Sequence, residues 1–160
     1  MKLLDEMSAI GNHPVFDDRP VPQALVLEML NYAVWTPNHM LREPWRFIFI
    51  DHESQGKLPS HHETAPAHLI VVMKNENSTH KRDEDLAAVF SLIQNFKLLA
   101  WEKKIGVKVS VCEWMYDKEQ CQKLGVKDKE RIAAVLDLGF CLKATVISPE
   151  IVPTLNWSLL

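Results

Sequence analysis

The chain has 160 residues, 47% of them hydrophobic and 24% charged, and a formal net charge of -3. That length and balance suit a single domain over 1–160 with a substantial core, and the slightly acidic total offers no concentrated basic surface for nucleic acid or an anionic membrane. The cysteines Cys112, Cys121 and Cys141 form no C-x-x-C, the N-terminus turns acidic at Asp5 and Glu6, and no apolar run reaches the roughly 18 residues of a membrane span, so a cytoplasmic protein with reduced thiols is expected.

Residues Pro22 to Trp35 carry Leu25, Val26, Met29, Leu30, Ala33 and Val34 at spacings of three and four, which predicts a helix with one wide apolar face and Pro22 in its first turn. Arg46–Asp51 and His68–Lys74 are short β-branched and aromatic runs that predict buried strands paired in one sheet. From Asp83 to Lys104 an acidic start, a basic end and Gly106 just beyond predict a long helix. Its apolar residues, from Leu86 through Phe90, Ile93 and Leu98 to Trp101, cover most of the circumference, so burial on more than one side is expected, with a second copy of the chain against one of them. A charge at Ile93, mid-helix, is expected to expose that face and give insoluble protein or a destabilised monomer. Val107, Val109 and Val111 alternate with polar residues as in a half-exposed strand. Lys118–Leu124 reads as a short helix stopped by Gly125, and Ile132–Phe140 as a further apolar strand. Pro149 and Pro153 leave the tail from Ala144 to Leu160 without a helix.

The stretch Ala33–Asp51, A-V-W-T-P-N-H-M-L-R-E-P-W-R-F-I-F-I-D, joins the first helix to the first strand by a polar loop with a proline near each end. Proline fixes its own φ and disfavours helix in the residue before it, so the loop is constrained at both ends. Asn38 and His39 in it either cap loop backbone or contact a ligand.

The segment P-N-H-x-x-x-E-P-W-R-F, with Pro37, Asn38, His39, Glu43, Pro44, Trp45 and Phe47, resembles the signature of the nitroreductase family. Agreement extends to Phe16 before P-V-P, to Pro66 before an apolar strand, to the long helix and its I-G-V turn, and to L-G-V followed by L-D-L-G-F. The resemblance implies an α+β fold, a mainly antiparallel sheet flanked by helices in a homodimer, with FMN bound across the subunit interface. It implies an FMN-dependent NAD(P)H oxidoreductase that passes electrons to a small acceptor, and a cofactor set of Asn12, Pro37, Asn38, His39, Leu41 and Arg42. In this chemistry the protein binds and tunes the ring more than it supplies acid or base, so no residue is assigned as catalytic.

The chain departs from the family pattern at the phosphate. Arginines usually precede the N-terminal Phe, but Ile10, Gly11, Asn12, His13, Pro14 and Val15 precede Phe16 here, and no basic residue follows Lys143. A phosphate monoester is held most strongly by bidentate arginine. A weakened or lost FMN site is therefore expected, with Arg19, Arg42, Arg46 or Lys143 as candidate replacements. The alternative is a flavin-less nitroreductase fold serving as a ligand-binding or regulatory module. His61-His62-Glu63 lacks the ligand spacing of a structural metal site, so no metal is expected, and no G-x-S-x-G, P-loop or G-x-G-x-x-G is present.

Overall fold

In the computed structural model, which describes residues 14–59, 64–141 and 155–159, the two longest and most deeply buried strands lie at the centre of the sheet. The helices are α1 (Gln23–Ala33), α2 (Thr79–Glu102) and α3 (Lys118–Lys123), and the strands are β1 (Trp45–Ile50), β2 (Ala67–Lys74), β3 (Ile105–Ser110) and β4 (Glu130–Phe140). Short 3-10 turns occupy His39–Leu41, His52–Lys57 and Glu113–Tyr116. The four strands run β1-β2-β4-β3, antiparallel at every pairing. This is an α+β arrangement, an antiparallel sheet flanked by helices, as expected.

Strand side chains alternate between faces, so each cross-strand row belongs to one layer. Phe49, Leu69, Leu136 and Val109 form one row across all four strands. That face packs on α1 and α2 through Val26, Met29, Val89, Leu92 and Phe96. Ile48, Ile70 and Val135 point the other way, toward Leu58, Met115, Leu124 and Val126. Layers on both sides explain why β2 is buried from Ala67 to Met73. Each fully buried Leu, Ile, Val or Phe stabilises this arrangement by about 1.5–3 kcal/mol relative to exposure.

Most predicted elements are found within a few residues of their expected bounds. The exception is the long helix, which starts at Thr79 rather than Asp83. Its first turn is Thr-His-Lys-Arg with no acid, and Ser78 enters extended (φ -73°, ψ 121°) without a side-chain cap, so the helix begins upstream of the acidic signal. At its other end Lys104 (φ 61°), not Gly106, takes the left-handed position. Gly106 lies inside β3, where a Cβ would meet Pro14 and the Cys141 sulfur. Ile93 is only 2% exposed within this one chain, in the core between α2 and the sheet. The expectation that a charge there would report on a subunit contact is corrected: it would act on the fold itself.

Phe16 bridges to Cys141, and the Asp17 N–H donates to the Phe140 carbonyl at 2.8 Å, so the segment before α1 lies along the end of β4. Gly139 permits this contact, since an added Cβ would sit 2.6 Å from the Phe16 ring. Gly139→Ala is expected to destabilise the protein by about 1–3 kcal/mol through forced repacking, a change that denaturant unfolding would measure.

Candidate functional site

The loop between α1 and β1 is held in a costly conformation. Met40 (φ 51°), Leu41 (φ 53°) and Glu43 (φ 43°) all take left-handed backbone without being glycine. Each costs of order 1–3 kcal/mol, and such strain persists only where surrounding bonds over-determine it. Those bonds are present. Asn38 Nδ2 donates to the Thr36 carbonyl at 3.2 Å, and the Glu43 N–H donates to Asn38 Oδ1 at 3.0 Å, so the Asn38 side chain closes the loop. Buried Thr36 donates through Oγ1 to the Ala33 carbonyl at 3.1 Å and accepts from Asn95 Nδ2 of α2 at 2.7 Å. The far end returns to the sheet, where the Lys74 N–H donates to the Pro44 carbonyl.

The loop presents apolar surface rather than burying it. Met40 is 83% exposed and Leu41 80%, with exposed Pro37 beside them and Tyr32 and Trp35 (84% exposed) at the end of α1. Trp45, expected in the core, packs partly buried against it. The predicted site residues Pro37, Asn38, His39, Leu41 and Arg42 thus share one hydrogen-bonded segment. Asn12 and Lys143 lie outside the described residues, as does the tail over 144–154.

The candidate replacement arginines are engaged with carboxylates. Arg42 Nη2 meets Asp85 Oδ2 at 2.9 Å and Glu76 Oε1 at 3.0 Å. Arg46 forks onto Glu130 at 3.0 and 2.6 Å, and that hydrogen bonding holds the Glu130 carboxyl below its usual range. Arg19 pairs with Asp17 and stacks over Phe140. Burial pushes the Asp85 carboxyl above its ordinary range, against the pull of Arg42.

Asp85, Asn95 and the pair His68–Asp137 are not singled out as functional by the sequence pattern. His68 and Asp137 face each other on β2 and β4, both buried, with His68 Nδ1 2.9 Å from Asp137 Oδ1. A detectable signal was a polar residue on an otherwise apolar stripe: Asp85 stands four before Val89 and seven before Leu92. Among the described residues no cluster of His, Cys, Asp or Glu is arranged to hold a metal, and no helix is long and apolar enough to cross a membrane. The pair His61-His62 lies outside them. Cys112, Cys121 and Cys141 are free, and burial raises each thiol pKa, so none is activated as a nucleophile. Iodoacetamide at neutral pH is expected to modify all three more slowly than a free thiol, a rate that mass spectrometry would follow.

Comparison with known proteins agrees with this fold. The model of the nitroreductase family matches residues 15–62, the segment that carries the loop and β1. The Bacillus subtilis protein YfhC, provisionally named an NAD(P)H nitroreductase, is 38% identical, with 78% of this chain and 77% of that protein covered. A nitroreductase-like family protein from Bacillus cereus superposes with a TM-score of 0.83 at 26% identity, over 96% of this chain and 92% of the other. A nitroreductase with bound FMN from Bacteroides fragilis gives a TM-score of 0.75 at 14% identity over 100% and 99%, a likeness of fold. From the identity and coverage shared with YfhC, and the fold that carries them, the chain belongs to the nitroreductase family.

Proposed function

We propose that this protein is an FMN-dependent NAD(P)H oxidoreductase that works as a homodimer and binds FMN through its ring more than through its phosphate. The observation that carries the reading is the strained, bonded loop Pro37–Arg42, which holds exposed Leu41 and Met40 beside Asn38 in a nitroreductase-family chain. An isoalloxazine ring has apolar faces and a polar edge, and this loop offers partners for both. Asn38 keeps one amide hydrogen and one lone pair beyond its loop-closing bonds.

The phosphate fits less well, because Arg19, Arg42 and Arg46 are each committed to carboxylates. FMN, when bound, would supply the redox chemistry between a reduced nicotinamide and a small acceptor. The chain's own part is to bind and orient the ring. Asn12, Pro37, Asn38, His39, Leu41 and Arg42 are the residues assigned to that task.

The homodimer is supported by α2. Phe90 is 38% exposed and Leu98 37% on the side away from the sheet, while Leu155, Trp157 and Leu159 are largely exposed. A second copy offers apolar surface for all of them.

The test is flavin uptake. Apoprotein mixed with FMN and passed through a desalting column should retain about one flavin per subunit when loaded at high concentration. Protein that quenches no flavin fluorescence at any concentration reached would instead support a flavin-less binding or regulatory module, which the committed arginines also favour.

A further inference from the structure

Asp85 occupies a position where a core residue belongs. With Val89, Leu92 and Phe96 it makes up the buried stripe of α2, and it is 3% exposed. Taking a carboxylate out of water costs several kcal/mol unless a cation and further hydrogen bonds meet it, and an apolar side chain of similar volume is often the more stable choice. The charge is met by Arg42, at 2.9 Å. Arg42 in turn stands between Leu41 and Glu43, inside the run of left-handed residues, so the ion pair lands on the strained part of the loop. Ten residues further along α2, about 15 Å by helix rise, Asn95 grips Thr36 at the loop's other end.

We propose that Asp85 is the positioning residue of the cofactor loop: through Arg42 it holds Pro37–Arg42 in the conformation that meets the flavin ring, while Asn95 fixes the entry. The inference deepens the flavin reading and rests on it for the identity of the ligand. Without the ion pair, left-handed Met40, Leu41 and Glu43 gain by relaxing toward ordinary backbone. Glu76, from the turn before α2, shares the same Arg42 nitrogen and keeps the guanidinium paired when Asp85 is neutral.

The arrangement carries a pH dependence with a defined sign. The charged groups acting on Asp85 are Arg42 and Lys74, which favour its ionised form, and Glu76 and Glu84, which oppose it. Burial, with Glu76 and Glu84, outweighs Arg42 and Lys74 and raises its pKa above the ordinary carboxyl value. A raised carboxyl pKa contributes stability that is present below the unfolded value, about 3.9, and is lost as pH rises through the folded value. Acidification through that window therefore favours the fold at Asp85 while leaving Arg42 paired with Glu76 alone. Loop order and Asp85's contribution to stability move in opposite directions.

Asp85→Asn keeps the shape and removes the charge. In flavin-free protein, hydrogen exchange of the amides over 38–43 is expected to quicken by tenfold or more, with cooperative unfolding retained. FMN should bind about 10- to 100-fold more weakly, the loss of one charge-assisted bond. Asp85→Glu should recover part of both. In wild type, exchange corrected for its intrinsic rate should quicken as pH falls through the raised pKa, and in Asp85→Asn it should not. Arg42→Gln, made at a more accessible side chain, should reproduce the loop effect if Asp85→Asn folds poorly. Loop amides as protected as in wild type in both variants would overturn the proposal whatever flavin does, and so would quickened exchange with unchanged FMN affinity. Quickened exchange in a protein whose wild type takes up no flavin would uphold the positioning role and remove the flavin reading alone.

Discussion

Glutamate at both Phe90 and Leu98 is expected to turn a homodimer into a folded monomer. Both side chains lie on the uncovered side of α2, each a little over a third exposed in the single chain. Each therefore gives a fraction of the roughly 1.5–3 kcal/mol of full burial to a partner, and the two-fold counts each site twice. With four carboxylates also to be desolvated, the dimer should weaken by about three powers of ten or more. Light scattering would show half the mass, and far-ultraviolet dichroism an unchanged fold. Ile93→Glu should behave differently, because Ile93 is 2% exposed within the chain's own core. Burying an unpaired charge there is expected to cost more than about 4 kcal/mol and leave no cooperatively folded protein. Wild-type protein that scatters as a monomer, or a double variant that scatters as a dimer, would refute the assignment of this face.

Riboflavin is expected to bind within about tenfold of FMN. A phosphate held by two arginines gains about 1.5–3 kcal/mol per charge-assisted bond, so an intact anchor separates the two flavins by roughly two to four powers of ten. Here no arginine precedes Phe16. Arg19, Arg42 and Arg46 are tied to Asp17, to Asp85 and Glu76, and to Glu130. Freeing one would strand its carboxylate. Fluorescence titration of both flavins against apoprotein measures the ratio, and a thousandfold preference for FMN would place a rebuilt anchor on the residues around Asn12 or Lys143.

The strands and helices were legible because each buries a face at its own period. Val26, Met29, Leu30 and Ala33 of α1 are spaced as a helix requires, and the short buried run of β2 has no room for one. The loop's importance was legible from its two prolines, and its chemistry from resemblance. Its left-handed residues were not, since Met40, Leu41 and Glu43 have no local preference for that backbone. They are imposed by Arg42 and Thr36 reaching partners 43 and 59 residues away. The start of α2 departs from the acidic signal for a related reason: Asp85 meets Arg42 of the loop and does not mark the helix terminus.

Oxidoreductase activity is tested most directly by mixing FMN-loaded protein with a reduced nicotinamide under anaerobic conditions and following the visible flavin band. The band should bleach with NADH or NADPH at a rate that saturates with nicotinamide, and return when air or a small nitroaromatic is admitted. A band that persists with both nicotinamides, in protein shown to hold flavin, would contradict an FMN-dependent NAD(P)H oxidoreductase.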